Sequence, residues 1–298
     1  MINKKYKNYN NFLNYNETDL IKATNQIKRY GYGLLKNVIP INKCNDLIAH
    51  LISLHKSHSK NTNKSNLYKY KDESFVFAKH SQAMVRNLIL EKPEIFMPVI
   101  SLSPILKFTS NIMKETLILD SCVSSNSIKD KNYKCTRHVD THLPTKDVNN
   151  IIDMVAILCL NEFNPLNGST KIWLKSHKSG IAINRNPSFS KKYLNRYKNI
   201  TAPQGSIAFM LGQTWHAIGK NIDNKDRWAI IMRYRRWWIK PSTDFTRCGE
   251  KIFNRLTAEQ KVLLGFNSIV PKFNNKNRLK TLIKKNQIPK KYKMALNY

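Results

Sequence analysis

The residues best suited to chemistry in this sequence are His138 and Asp140, together with His216 and Arg227 further along the chain. In an extended segment alternate side chains point to the same face, so His138 and Asp140 are expected to converge on one point. Two imidazoles and one carboxylate on one face of a metal, with the other positions open, are typical of a non-haem Fe(II) centre. His216 can supply the second imidazole only if the fold returns a strand 78 residues later.

Arg227 follows His216 by 11 residues and precedes the apolar run 228–232. Its guanidinium is a rigid fork of donors that matches a carboxylate. We therefore predict that Arg227 binds the carboxylate of a ligand near the metal. The alternatives are a surface cation for Arg227 and a hydrogen-bonded core histidine for His216. A short His-x-Asp motif occurs by chance in many chains, so the surrounding sequence decides between these interpretations.

The spacing of apolar residues divides the chain into a helical first part and an extended second part. The predicted helices are 18–30 (with Asn16 or Thr18 as N-cap), 40–55, 82–90 and 104–112, and a turn into a short strand is predicted at 31–35. The predicted strands of the second part are 116–123, 136–141, 153–160, 170–174, 206–211, 215–219 and 228–238. Short strands separated by turn residues predict a mainly β fold. We expect a double-stranded β-helix (jelly-roll) core with an N-terminal helical layer.

A single domain is predicted, because neither a Gly/Ser-rich linker nor an internal repeat divides the 298 residues. Its expected parts are a loosely ordered start (1–17), the helical layer (18–114), the β core (115–240) and a C-terminal segment (241–298). No run of about 18 apolar residues is present, so no transmembrane helix is predicted. The five cysteines are scattered and lack a CxxC pair, which indicates reduced thiols. The basic start lacks the apolar segment of a secretory signal, and a cytoplasmic protein is expected.

The charge of the chain has two interpretations. Lysine and arginine number 51 against 19 acidic residues, and the formal net charge of +32 is typical of proteins that bind polyanions. Lysine is spread over the whole chain together with asparagine and isoleucine, however, as compositional drift towards AT-rich codons would produce. A solvated basic surface is therefore the first interpretation, and selection for an anionic ligand is the second.

Several further motifs agree in order and spacing with one known family. They are Gly31–Ile39, Arg137–Asp140, Asn167–Lys178, Gly205–Met210, Trp215–His216 and Arg227–Ala229. From about residue 30 to residue 267 the chain resembles bacterial members of the phytanoyl-CoA dioxygenase family, which are Fe(II)- and 2-oxoglutarate-dependent oxygenases. It departs from the family at the loop 175–177, at Ser206 and at Ile218, where some members carry a serine that contacts the cosubstrate. None of these departures affects the four residues above.

The resemblance implies that His138, Asp140 and His216 hold Fe(II) and that Arg227 pairs with the far carboxylate of 2-oxoglutarate. It also implies that O2 oxidises a C–H bond of a small organic molecule. Asp140 favours hydroxylation, or a desaturation or cyclisation, over halogenation, because related halogenases have a small residue at that position. The loops that would set the substrate, 56–72, 124–135 and 184–199, are polar and lysine-rich, which fits an anionic substrate.

Two alternatives from other functional classes stay open. One is an oxygenase-fold binding protein without turnover, against which the complete set of ligands and Arg227 argue. The other is a basic nucleic-acid- or ribosome-associated oxygenase, for which the tail at 284–293 is the nearest basic and aromatic segment. Of the other candidates, we interpret His177 as structural and His142 as a residue at the mouth of the site. Core packing is predicted for Trp237 and Trp238.

Overall fold

The computed structural model describes residues 5–6, 9–60, 75–78, 82–129, 133–141, 143–147, 149–186 and 195–268. His142 and the basic tail at 284–293 lie outside this part of the chain. Within it, two antiparallel sheets stack on each other, and helices cover the outer face of the larger sheet. This arrangement confirms the predicted jelly-roll core with a helical layer.

Ten described strands make up the two sheets. They are β1 (Tyr32–Leu35), β2 (Phe75–Ala78), β3 (Gln82–Val85), β4 (Leu117–Ser127), β5 (Asp153–Cys159), β6 (Lys171–Ile172), β7 (Lys198–Asn199), β8 (Ile207–Leu211), β9 (His216–Ala217) and β10 (Arg227–Arg236). The larger sheet has the order β1-β8-β5-β10-β4-β3-β2, and the smaller sheet has the order β7-β6-β9. In the larger sheet β10 is central, because it pairs with β5 on one side and with β4 on the other.

The apolar run of β5 shows why the larger sheet has a layer packed on each of its two faces. Every residue of this strand is buried. Because side chains alternate along a strand, one set packs under the helices and the other packs against the smaller sheet. The first set is Met154, Ala156 and Leu158, and the second is Val155, Ile157 and Cys159. A strand that is apolar on both faces is therefore placed in the middle of a layered structure.

The described helices precede and follow the β core. They are α1 (Glu17–Tyr30), α2 (Ile41–Lys60), α3 (Leu88–Glu91), α4 (Pro93–Ile100), α5 (Ser103–Met113), α6 (Glu250–Phe253) and α7 (Ala258–Leu263). The predicted cap of α1 is confirmed, since the side chain of Asn16 accepts a hydrogen bond from the backbone N–H of Asp19 at 2.9 Å. The helix ends at Gly31, whose φ of 87° is easily reached only without a Cβ. This turn leads the chain directly into β1.

Two predicted elements are wrong in type. Residues 82–90 form β3 and the short helix α3 instead of one helix. Side chains of β3 alternate between half-buried and buried, and Gln82 pairs with Ser127 of β4, so pairing with a neighbouring strand overrides a weak helical pattern. Residues 136–141 do not form a regular strand, because only His138 makes a β-bridge.

Other differences concern boundaries and exposure. β4 extends to Ser127 and α2 extends to Lys60, so each enters a segment that was predicted as a loop. Trp237 and Trp238 are 43% and 57% exposed, which shows that the prediction of core packing is wrong. Tyr6 is buried, and Asn10 accepts a hydrogen bond from the backbone of Ser103 at 2.8 Å. This part of the start of the chain packs on the core, where the sequence predicts loose order.

No single helix among the described residues has the length and apolar character needed to cross a membrane. Helices α4 and α5 reach that length and composition together, but the chain bends by 41° between them. Their apolar side chains are buried in the protein core, which accounts for their composition.

Candidate active site

Three of the predicted residues meet at one point. One ligand atom from each of His138, Asp140 and His216 lies within 4.8 Å of the other two. The carboxylate oxygens of Asp140 are 3.7 Å from Nε2 of His138 and 3.6 Å from Nε2 of His216. Among the described residues, this is the one group of three or more His, Cys, Asp or Glu side chains close enough together to hold a metal.

Backbone hydrogen bonds bring these three residues together. His138 and His216 exchange two N–H···O bonds of 3.0 Å, which join the segment after residue 136 to the start of β9. The N–H of Asp140 then donates to the carbonyl of Gly212 at 2.8 Å. The convergence predicted for an extended segment is therefore present, but it arises from one bridge followed by a bend.

Each histidine is oriented by its second ring nitrogen. Nδ1 of His138 lies 3.1 Å from the carbonyl of Thr136, and Nδ1 of His216 lies 2.9 Å from the carbonyl of Thr214. A carbonyl can only accept, so Nδ1 carries the proton and the lone pair of each neutral imidazole is on Nε2, towards Asp140. Burial, followed by the nearby His138, lowers the pKa of His216 to about 4. His216 is consequently neutral at physiological pH, the form that binds a metal.

The cluster is open on one side and closed on the other. The side chain of His138 is 40% exposed, whereas that of His216 is only 10% exposed. Behind the cluster, the indole of Trp215 packs with Trp173 and Val139 in a small apolar core. The cluster therefore faces solvent on the His138 side, where a substrate can approach, and rests on rigid packing on the other.

Arg227 packs between the two sheets, and among the described residues its hydrogen bond and ring contact are with Gly168 and Phe163 rather than with the three clustered residues. It is 3% exposed, and its guanidinium carbon lies 4.3 Å from the centre of the Phe163 ring. Nη2 donates to the carbonyl of Gly168 at 2.8 Å, but Nε has no hydrogen-bond partner. Phe163 packs in the same cluster as Ile172, whose register partner in β9 is His216. The interior that encloses Arg227 is therefore continuous with the wall that carries His216.

The charge of Arg227 has no acidic neighbour within ion-pair distance in the described part of the chain. Burial lowers the pKa of Arg227 to about 10, so the guanidinium is still protonated at neutral pH. A buried charge is costly unless it is paired. The unpaired guanidinium therefore fits an anionic ligand that enters the space between the sheets.

Arg233 is a site residue that the sequence interpretation missed. Nη1 donates to the backbone carbonyl of Asp140 at 3.2 Å, and the same guanidinium pairs with the fully buried carboxylate of Asp120. Ser242 completes this anchor with a hydrogen bond of 2.6 Å from its backbone N–H to Asp120. The signal was the spacing in β10, because Arg227 and Arg233 are six residues apart and so share one face of the strand.

His177 has a structural role, as the sequence predicts. His177 is buried, and its Nε2 lies 3.2 Å from the carbonyl of Lys28, as expected for a structural histidine. Burial is the main cause that lowers its pKa.

Comparison with solved structures finds several enzymes that share this fold. HygX from Streptomyces hygroscopicus, crystallised with nickel and 2-oxoglutarate, superposes with a TM-score of 0.57 and 12% sequence identity, over 76% of this chain and 89% of HygX. The epimerase SnoN, in complex with Fe3+, alpha-ketoglutarate and nogalamycin RO, gives a TM-score of 0.55 at 12% identity, over 74% and 85% of the two chains. AviO1 from Streptomyces viridochromogenes gives 0.55 at 16% identity, over 77% of this chain and all of AviO1.

No protein-family model matches the chain. No curated protein matches it either. At 12–16% identity the structural likeness shows a shared fold, which is the jelly roll expected from the sequence. HygX contains nickel and 2-oxoglutarate, and SnoN contains Fe3+ and alpha-ketoglutarate, in agreement with the cofactors that the sequence predicts for this chain.

Proposed function

We propose that this protein is an Fe(II)- and 2-oxoglutarate-dependent dioxygenase that hydroxylates a small organic molecule. The observation that carries the proposal is the His138–Asp140–His216 cluster, open to solvent, in one interior with an unpaired, buried Arg227. Membership in the phytanoyl-CoA dioxygenase family is part of the proposal and is supported by the motif order in the sequence. A binding protein without turnover would have no need to keep all four residues.

The donor set fits the proposed metal. Two neutral imidazole nitrogens and one carboxylate, with open positions on the other side, are the ligands of non-haem Fe(II) oxygenases. His138, Asp140 and His216 would hold the metal, and Arg227 would pair with the far carboxylate of 2-oxoglutarate. When bound, Fe(II) with 2-oxoglutarate and O2 supplies oxidation of a C–H bond, with succinate and carbon dioxide as co-products.

The residues of this chain position the reactants and exclude water. The carbonyls of Thr136 and Thr214 keep the Nε2 lone pairs directed at the metal position. Arg227 would fix which end of 2-oxoglutarate reaches the metal, because its own place is set by Gly168 and Phe163. The apolar cluster between the sheets would keep water away from the ion pair between Arg227 and 2-oxoglutarate, and so strengthen that pair.

The substrate is proposed only as a class. The strongly basic composition favours an anionic small molecule, since a positive surface raises its local concentration near the open side of the site. Asp140 occupies the third ligand position, so we propose hydroxylation rather than halogenation.

The test is the formation of succinate from 2-oxoglutarate by protein reconstituted with Fe(II). The wild type, supplied with 2-oxoglutarate and O2 and screened against anionic small molecules, should release succinate. The Asp140→Ala variant should release none above background. Asp147→Ala is the matched control, because Asp147 is an exposed carboxylate in the same segment and its loss should leave the rate unchanged. A folded wild-type protein that binds iron but releases no succinate would contradict the proposal.

A further inference from the structure

We propose that Ser127 is the second residue that binds the far carboxylate of 2-oxoglutarate, together with Arg227. This inference rests on the proposed function and adds a residue from a different strand to the cosubstrate site. It starts from two buried polar atoms without partners, Nε of Arg227 and Oγ of Ser127.

The sheet places these two side chains next to each other. Arg227 and Ser127 are directly opposite in the antiparallel pairing of β10 with β4. Residues opposite each other in this way point to the same face, with Cβ atoms about 4.5–5.5 Å apart. The guanidinium over Phe163 identifies that face as the one towards the smaller sheet. The hydroxyl and the guanidinium therefore lie next to each other on the same face of the larger sheet.

Neither Nε of Arg227 nor Oγ of Ser127 has a hydrogen-bond partner, although both atoms are buried. Arg227 is 3% exposed and Ser127 is fully buried, so water does not reach either side chain freely. More than nine in ten buried polar groups have a hydrogen-bond partner, and each exception needs an explanation. Two exceptions on directly opposed residues are explained together by a ligand that accepts hydrogen bonds from both.

Gly168 packs against both Arg227 and Ser127. Its carbonyl accepts a hydrogen bond from Nη2 of Arg227 and so fixes the guanidinium. Its φ is 76°, and a Cβ at this position would overlap the hydroxyl of Ser127. The glycine therefore lets the backbone at residue 168 lie close to the hydroxyl of Ser127 while its carbonyl holds the guanidinium of Arg227.

A carboxylate is the ligand that fits these donors. It is acceptor-only when ionised and has two oxygens, so one oxygen can accept from the guanidinium and the other from the serine hydroxyl. Its negative charge also supplies the counter-charge that Arg227 lacks among the described residues. The far carboxylate of 2-oxoglutarate has this chemistry, whereas its oxo-acid end has the chelating oxygens that suit the metal.

The experiment compares Ser127→Ala with Ser124→Ala. Both serines are buried in β4, but the hydroxyl of Ser124 points to the helical layer, where it lies 2.7 Å from Nε2 of His55. Dissociation constants are measured anaerobically with Fe(II)-loaded protein, by optical titration with 2-oxoglutarate and with 2-oxobutyrate. The second compound chelates in the same way but has no far carboxylate.

For Ser127→Ala we expect an increase of about tenfold or more in the Kd of 2-oxoglutarate, the effect of losing one hydrogen bond to a charged group. The Kd of 2-oxobutyrate and the iron stoichiometry should stay at wild-type values. For Ser124→Ala both dissociation constants should be unchanged. An unchanged Kd of 2-oxoglutarate in Ser127→Ala, or an equal increase for both oxo acids, would overturn the inference while the wild-type titration still supports the proposed function. Absence of a wild-type signal would overturn both.

Melting of the metal-free variants gives a readout without a ligand. Removing the hydroxyl of Ser127 should not lower the Tm, because that hydroxyl has no protein partner. Removing the hydroxyl of Ser124 should lower the Tm, since the backbone N–H of Val85 donates to it at 2.8 Å and His55 also contacts it. A large loss of Tm in Ser127→Ala would show that the hydroxyl has a structural role and would contradict the inference.

Discussion

Single residues at this site differ in how far the protein alone satisfies their polar atoms. The histidines are anchored through Nδ1 and present a free lone pair, whereas Arg227 carries a buried charge without a counter-charge among the described residues. Both conditions raise the free energy of the empty protein relative to the occupied one. Metal and diacid binding are therefore expected to stabilise the fold.

The three clustered residues should be individually necessary for iron. We expect His138→Ala, Asp140→Ala and His216→Ala each to lose stoichiometric Fe(II), because two remaining ligands hold this metal weakly. Iron content after anaerobic reconstitution and desalting is the measurement. His50→Ala, a change of the same type on α2, is the control and should bind as the wild type does. Full iron content in all three variants would contradict the assignment.

Arg227 should affect the cosubstrate and leave the metal unaffected. For Arg227→Met we expect the Kd of 2-oxoglutarate to rise by about 30-fold or more, which corresponds to the 2–5 kcal/mol typical of truncating a buried charge pair. Iron stoichiometry should not change. The Tm of the metal-free variant should not fall, because the substitution removes an unpaired buried charge. A wild-type Kd for 2-oxoglutarate would show that another cation binds it.

The four residues themselves could be predicted from sequence, but their supports could not. A His-x-Asp motif, a later histidine and an arginine 11 residues on are visible as local patterns. Ser127 and Arg233 gain their roles from partners on other strands, about 100 residues away in the chain. A serine at the polar end of β4 is indistinguishable in sequence from a loop residue, and the sequence predicts a loop there.

At the scale of elements, the sequence predicts the long apolar strands, and the strands that it misses or assigns to the wrong type are short. β5 and β10 bury both faces, so their apolar runs mark them in the sequence. The strands predicted at 170–174 and 215–219 are present as β6 and β9, with two residues each, whereas β2 and β7 have no predicted counterpart. The helix prediction at 82–90 is wrong because β3 is defined by its pairing with the end of β4, which a local sequence pattern does not show.

The ion pairs of Asp120 with two arginines of β10 should contribute strongly to stability. Asp120 is fully buried and pairs with both Arg233 and Arg235. We expect Asp120→Asn to lower the free energy of unfolding by about 3–5 kcal/mol, because it leaves two largely buried cations without their counter-charge. Glu115→Gln is the control, since Glu115 also pairs with an arginine of β10 but is partly exposed, and its loss should cost about 1 kcal/mol or less. Urea denaturation measures both; equal losses would contradict the role of Asp120.

His55 of α2, which contacts Ser124 of β4, should make the free energy of unfolding depend on pH. Burial lowers the pKa of His55 to about 4, below the value near 6.5 of an unfolded histidine. Its contribution to stability is therefore complete above pH 6.5 and is lost as the pH falls towards 4, by about 2 kcal/mol at pH 5. The fall in the free energy of unfolding between pH 7.5 and pH 5 should be smaller in His55→Gln than in the wild type. An equal fall in both would show that His55 does not titrate in this way.

At the scale of the whole molecule, the fold explains the apolar residues better than it explains the charge. Two stacked sheets and a helical layer account for the buried residues of both main cores. We infer a single domain, because the larger core includes residues from α1 at one end of the described chain to α7 at the other. The net charge of +32 does not contribute to these cores, and its role has to be tested by binding.

Nucleic acid should bind only weakly and without specificity. If the charge reflects composition, any complex is held by released counterions and loses its affinity steeply with salt. We expect a gel shift with single- or double-stranded RNA at low ionic strength to disappear at about 0.15–0.2 M salt. A shift that persists at that salt concentration and prefers one sequence or structure would favour the nucleic-acid-associated alternative.

The central claim is tested most directly by optical titration of the Fe(II)-loaded protein with 2-oxoglutarate under anaerobic conditions. Bidentate 2-oxoglutarate on such a centre gives a weak metal-to-ligand charge-transfer band in the visible. We predict that this band forms in the wild type, is absent in Asp140→Ala and requires much more 2-oxoglutarate in Arg227→Ala. A folded, iron-loaded wild-type protein that gives no band at saturating 2-oxoglutarate would contradict the assignment of both the metal centre and the cosubstrate.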